Sequence, residues 1–264
     1  MNYYENPRLA KIYIERDRDM IEGRRSMPEI TYEPRGDSLH LSDVGDLCLL
    51  QPFFRRTMSY VPPLDTESLV VFTRGRVFER AIAIEGKPIC VDGIWMTIDD
   101  AEPPDPFKIV EIKSTEWGMH FFDPVEKTPQ WIERGMGYCY GHGVTEMGLV
   151  VFFLSGNKPD FQPRRGESYP PKGTPIIKGG VRAWTLEFTQ EELDANWLEM
   201  LRRKDLLISA IESGTPIDDN EILARLPVRV WKNGKKNYWL CNGCRFRGMC
   251  HITAWKEFGV PAVA

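Results

Sequence analysis

The stretch ICVDGIWMTIDDAEPPDPFKIVEIKS, residues 89–114, decides how the rest of the chain is read. Alternating apolar residues at both ends flank a connection dense in Pro and Asp, which is the pattern of two strands joined by a turn. The spacing predicts a hairpin centred near Pro103. On its second strand Glu111 and Lys113 are two residues apart and project from one face. Asp92 on the first strand then falls roughly opposite them, so an Asp, a Glu and a Lys meet on a patch about 5 to 7 Å across. A Glu-x-Lys pair alone is usually an exposed strand pair. Here the apolar frame of IVEIK predicts a partly buried strand, where charge is costly unless a partner or an ion compensates it. Carboxylate oxygens suit Mg²⁺ or Mn²⁺, and a neighbouring lysine can orient water and offset negative charge on a phosphate.

Near the N-terminus, Asn6-Pro7 reads as the cap and first position of a helix carrying Leu9, Ile12, Tyr13 and Ile14. Ser42 caps a short helix bearing Cys48, with Pro52 disturbing its continuation. A helix follows from Asp65 or Thr66 through Phe72, Phe78 and Ile82. Another spans Trp131 to Tyr140, leading into the buried strand GLVVFFL. Residues 155–180, rich in Pro, Gly and charge, read as an exposed insertion. VRAWTLEFT is a further strand, and Thr189 with Glu192 forms a capping box that opens a helix through Leu198, Leu201 and Leu206. This order predicts an α/β or α+β domain with a mixed sheet flanked by helices.

The 264 residues, 42% apolar, can fill one large core. Six cysteines are too few for a secreted disulfide scaffold. MNYYENPRLAK carries no signal-peptide core, and no apolar run approaches the roughly 20 residues of a membrane span, so a soluble cytoplasmic protein is expected. The net charge of −4 excludes nothing, because local distribution decides contact with phosphates. From Arg225 to His251 there is no acidic residue, and Trp231, Tyr238, Trp239 and Phe246 interleave with Arg225, Arg229, Lys232, Lys235, Lys236, Arg245 and Arg247. Basic side chains with aromatic rings suit single-stranded nucleic acid; a solvated basic hairpin is the plainer reading. GMGYCYG, residues 135–141, is not a dinucleotide loop, since Tyr140 stands where the third glycine is needed. No Walker lysine, Gly-x-Ser-x-Gly elbow or His-Glu-x-x-His appears, which removes support for ATP use and for serine or zinc hydrolase chemistry.

CNGCRFRGMC, residues 241–250, spaces Cys241, Cys244 and Cys250 as C-x2-C-x5-C. A fourth thiol must come from elsewhere: Cys90 and Cys139 read as core thiols, which makes Cys48 the best fit.

VDG at 91–93 followed by IVEIKS at 109–114 resembles the PD-(D/E)XK nuclease motif, with Asp92, Glu111 and Lys113 at its defining positions. RGRVFER at 74–80 is similar to that family's first-helix motif and implies Glu79 as a further metal ligand. YCYGHG with Tyr138 resembles the end of its Gln-x-x-x-Tyr helix, although Arg134 stands in place of the glutamine; either Arg134 contacts phosphate instead or Gln130, one turn earlier, is the displaced equivalent. With one remote cysteine and a C-terminal trio bracketing such a core, the chain is similar to the RecB-like iron-sulfur nucleases, especially CRISPR-associated Cas-four type proteins and the nuclease parts of AddB-type helicases. The resemblance implies a restriction-endonuclease-like fold and a single nuclease domain, with a core at about 66–200 and an iron-sulfur subdomain from about 36–62 and 201–264. It implies a 4Fe-4S cluster on Cys48, Cys241, Cys244 and Cys250, and Mg²⁺ or Mn²⁺ on Glu79, Asp92 and Glu111. Lys113 and Tyr138 would complete a DNA exonuclease centre acting on single-stranded or frayed ends, with CRISPR-adaptation or recombination proteins as partners. The competing expectation is a DNA-end-binding adaptor with an idle metal site.

Overall fold

The computed structural model describes residues 1–24, 38–63, 86–101, 103–115, 122–154 and 179–226, together with positions 66, 69, 70, 73, 75, 82, 83, 119, 229, 230, 236, 237, 244–246 and 250. Strand β1 (Asn2–Glu5) precedes helix α1 (Pro7–Ile21), where the Asn6 side chain accepts the Leu9 N–H and Pro7 fills the first turn. Then come the short helix α2 (Leu41–Val44), helix α3 (Leu50–Thr57) and strands β2 (Ile89–Val91), β3 (Ile94–Met96) and β4 (Val110–Thr115). Helices α4 (Pro124–Lys127) and α5 (Pro129–His142) lead into β5 (Glu146–Phe153) and β6 (Gly180–Glu187). Helix α6 (Gln190–Ser213) opens on the expected Thr189 and Glu192 capping box, and α7 (Asp219–Leu223), β7 (Arg229–Val230) and β8 (Lys236–Asn237) follow.

One mixed sheet organises these elements in the order β1-β6-β5-β4. β4 pairs with β5 in parallel, and β5 with β6 and β6 with β1 antiparallel. A parallel pair needs a long crossover, which α4 and α5 supply. The mixed α/β class is as expected; the hairpin joining 89–98 to 107–113 is not. Residues 89–96 close on themselves as the β2–β3 ribbon, with Asp92 (φ 49°) and Gly93 (φ 77°) at its tip. Asp-Gly is the residue pair that a two-residue turn with two positive φ angles prefers, so local turn chemistry takes Asp92 out of a paired strand.

Alternation along the strands sorts the core into two layers. Val110, Ile112, Val150 and Phe152 face α1 through Leu9 and Tyr13. Leu149, Val151, Phe153, Trp184 and Leu186 face α5 and α6 through Tyr138, Cys139 and Trp197. By the same period of two, Glu111 and Lys113 lie on the α5 side. Helix α5 packs closely because its glycines leave notches: a Cβ at Gly137 would stand 2.8 Å from Leu41, and one at Gly141 2.4 Å from Met96. These are the glycines of the apparent dinucleotide loop.

A third cluster joins distant parts of the chain. Leu49, Leu50, Phe53 and Phe54 pack with Leu207, Ala210, Ile217, Ile222, Leu226 and Phe246, and Cys48, Cys244 and Cys250 lie against it. Cys48 does not sit on a helix as expected; it stands in the connection just before α3. Pro52 sits within the first turn of α3, where a missing N–H costs nothing, and so it does not end that helix. β1 is a further difference, four exposed residues whose strand character comes from pairing with β6. The insertion expected at 155–180 falls almost wholly outside the described residues. Among the described residues no helix is long and apolar enough to cross a membrane.

Candidate active site

The centre forms where β4 carries Glu111 and Lys113 toward α5. Glu111 is only 2% exposed. Its Oε1 lies 2.6 Å from Lys113 Nζ, while among the described residues its Oε2 has no hydrogen-bond partner. Burying a carboxylate without satisfying both oxygens is expensive, so this orphaned oxygen marks a position built for something else. Asp99 completes the group. Its Oδ2 accepts the Ile112 N–H at 2.8 Å and lies 3.0 Å from Lys113 Nζ. One ammonium therefore bridges two carboxylates from two segments of chain.

Asp92, expected here, is elsewhere. Its carboxylate accepts the Trp197 indole N–H at 2.9 Å, and its carbonyl accepts Lys204 Nζ at 2.7 Å, which pins the β2–β3 tip to α6. Asp99, not Asp92, is the aspartate that lies beside Glu111 and Lys113. The signal that could have separated them is the Asp92-Gly93 pair, since an aspartate committed to a tight turn is a poor candidate for a strand face. Glu79, expected as a third ligand, lies outside the described residues. Among those described, no three His, Cys, Asp or Glu side chains stand close enough to hold a metal ion. Two carboxylates with one unsatisfied oxygen nonetheless fit a hard divalent cation, because Mg²⁺ commonly takes one or two carboxylates and completes its shell with water and phosphate.

Helix α5 brings Tyr138 and Arg134, one turn apart, onto the same face. Burial, followed by the charges of Glu111 and Asp99, pushes the Tyr138 phenol well above its ordinary range, so it stays a neutral donor. Burial disfavours the charge on Arg134, but the negative potential of Glu111, Asp46 and Asp99 around it outweighs that and holds it charged. Sequence reasoning missed Asp46, which lies in the loop after α2 with no motif around it.

Burial first, and the Asp99 charge second, push the Glu111 carboxyl up to about 7, against the pull of Lys113 and Arg134. A carboxyl whose folded value lies above its unfolded one favours the native state while protonated and opposes it once ionised. In the presence of chelator, this group's contribution to stability is therefore expected to fall as pH rises from 4.5 to about 7. Thermal midpoints measured across that range should fall less steeply for Glu111→Gln than for the wild type; parallel profiles would contradict the assignment.

The cysteine group is partly described. Cys48, Cys244 and Cys250 share one apolar cluster, whereas Cys241 lies outside the described residues. Burial, with the neighbouring Cys244 and Cys250, pushes the Cys48 thiol up to about 12, opposed by hydrogen bonds from the Leu50 and Gln51 backbone N–H groups. Those donors, at the start of α3, favour a thiolate and fit a metal-bound sulfur. Cys139 is a core thiol as expected, but Cys90 is exposed on the β2–β3 ribbon. Two described members of the basic segment are engaged within the fold. Arg225 pairs with Glu133 and with Glu199, and Phe246 is 1% exposed in the third cluster, so neither can guide a strand. Lys232, Lys235, Arg247, Trp231, Tyr238 and Trp239 lie outside the described residues.

No protein-family model and no curated protein matches the sequence. Among solved structures the chain is remotely similar to three. A phage-related exonuclease from Haemophilus somnus is 11% identical with a TM-score of 0.34, over 78% of this chain and 82% of that one. SSO0001 is 11% identical with a TM-score of 0.43, over 91% and 94%. An alkaline exonuclease from Laribacter hongkongensis is 13% identical with a TM-score of 0.38, over 67% and 90%.

Proposed function

We propose that this chain is a metal-dependent DNA exonuclease of the PD-(D/E)XK type, hydrolysing phosphodiester bonds in single-stranded or frayed DNA ends. The observation that carries the reading is the meeting of Asp99 and Glu111 on Lys113, with one oxygen of the buried Glu111 left unsatisfied among the described residues. Asp99 and Glu111, with Glu79 as a further candidate, would hold Mg²⁺ or Mn²⁺, which supplies Lewis-acid polarisation of a phosphoryl oxygen and a more acidic water.

The chain's own part is positioning and charge. Lys113 Nζ, fixed between two carboxylates, orients the attacking water and offsets the negative charge that grows on the phosphoryl oxygens. The water oxygen bonds to phosphorus as the ester bond to the departing nucleotide breaks. The water proton passes to solvent and the departing oxygen takes one up, giving a phosphate monoester and an alcohol. Tyr138, kept neutral, can donate a hydrogen bond at the edge of this centre.

Cys48, Cys241, Cys244 and Cys250 are assigned as ligands of a 4Fe-4S cluster. Supporting this are the packing of three of them against one apolar cluster and the two backbone N–H groups directed at Cys48. The cluster's part is structural, tying the segment around residue 48 to the C-terminal region. A cytoplasmic role in CRISPR adaptation, or in phage or bacterial recombination and repair, with proteins of those systems as partners, is consistent with this chemistry.

Digestion of an end-labelled single-stranded oligonucleotide with Mn²⁺ tests the reading. Wild type is expected to cleave, and Lys113→Ala to lose about 10²- to 10⁴-fold in rate, the range of a positioned acid-base group. Equal rates would overturn this assignment of the reactive centre, and no cleavage by either protein would leave the idle adaptor as the better account.

A further inference from the structure

We infer that Arg134 is a phosphate-binding residue of the reactive centre, its guanidinium meeting the non-bridging oxygens of the phosphodiester to be cleaved. The inference rests on the nuclease reading above and adds to it the group that recognises the substrate's anion.

Three features of the structure point to this role. Arg134 and Tyr138 are one turn apart on α5, and both lie within electrostatic reach of Glu111 and Asp99. Among the described residues, the buried Nε of Arg134 has no hydrogen-bond partner, and Glu111 Oε2 has none either. The two side chains are neighbours of opposite charge, yet each keeps unused polar capacity in the same buried space. A centre awaiting two ligands of opposite sign, a cation for the carboxylate and an oxyanion for the guanidinium, would keep such atoms in reserve. The planar fork of donors on arginine matches two phosphate oxygens at once.

The third feature is the seat of the side chain. A Cβ on Gly45 would stand 2.7 Å from Arg134 Cγ and 2.8 Å from the Leu41 carbonyl oxygen. The stem of Arg134 thus lies against bare backbone at the end of α2, and Asp46, the next residue, adds negative charge close by. Placing a cation there needs a glycine at 45 and gains nothing for the apolar core. Binding an anionic substrate accounts for it.

Two measurements test the proposal. The first is equilibrium binding of a single-stranded DNA oligonucleotide in chelator across a salt series; the second is the Mn²⁺-dependent cleavage rate. Arg134→Gln is expected to reduce the slope of log affinity against log salt by about 0.7, the value of one lost phosphate contact on a single strand. Its kcat should fall about 10²- to 10³-fold, as on loss of one preorganised donor to a developing charge. Arg134→Lys should keep the slope and recover part of the rate, since an ammonium keeps the charge without the fork. Gly45→Ala, which leaves Arg134 intact but crowds its stem, should lower kcat without removing a charge from the chain. An Arg134→Gln protein with wild-type slope and rate overturns the inference, and so does one whose thermal midpoint alone falls. Failure of the wild type to cleave would instead overturn the nuclease reading, while the salt slope would still decide whether Arg134 meets phosphate.

Discussion

Asp99→Asn is expected to reduce Mn²⁺-dependent DNA cleavage by about 10³-fold or more, whereas Asp92→Asn should stay within about tenfold of wild type. The contrast follows from where the two carboxylates are held. Asp99 accepts a main-chain N–H from the strand that carries Glu111 and lies 3.0 Å from Lys113 Nζ. Removing its charge strips the centre of half its described carboxylates and loosens the lysine. Asp92 serves an indole and a lysine on α6, at the tip of a ribbon. Its loss should appear in the thermal midpoint, because a hydrogen bond to a charged group contributes about 1.5 to 3 kcal/mol. Steady-state cleavage rates of the two variants, measured beside their melting curves, decide the matter. A dead Asp92→Asn enzyme with an active Asp99→Asn enzyme would reverse the assignment.

The second large effect is expected at the other end of the molecule. If four thiolates hold one cluster, it links residue 48 to residues 241–250 and closes a loop of most of the chain. By the chain-entropy estimate for covalent links, so long a closure is worth about 5 kcal/mol, comparable to the whole margin of many domains. Cys48→Ala should therefore lose the brown colour and the iron of the anaerobically purified wild type and be recovered largely as aggregate. A soluble Cys48→Ala protein with full iron content and an unchanged melting curve would remove Cys48 from the ligands. Cys90→Ala, on an exposed ribbon away from that cluster, is the matched control.

The sequence carries some of this plainly. Period-two alternation in VEIK puts Glu111 and Lys113 on one face, and the structure keeps them 2.6 Å apart. Cys48, Cys244 and Cys250, picked out by spacing and elimination, pack against one apolar cluster. What misleads is strand pairing. The Pro-rich connection at 101–108 looks like a hairpin loop, but β4 takes its partner from β5, across a helical crossover that no local pattern announces. That shift puts Asp99 rather than Asp92 beside Glu111 and Lys113. Local turn chemistry at Asp92-Gly93 held the correcting clue, and it was outweighed by a longer turn-rich stretch nearby. β1 is illegible for another reason, since four exposed residues acquire strand form only from the neighbour they join.

Arg203 bears on how these parts behave together. From the middle of α6 its guanidinium donates to the main-chain carbonyls of Val44 and Asp46, on either side of Gly45. The same helix packs Trp197 and Met200 under the sheet and Leu207 and Ala210 beside the cysteines. Among the described residues, a rod shared by the α5-side core and the cysteine-lined cluster, and riveted midway to the segment between them, ties the stability of the one to that of the other. Heat, denaturant or oxidation of the sulfur-lined end should accordingly be felt as one transition, and damage at that end should silence the carboxylates at the other.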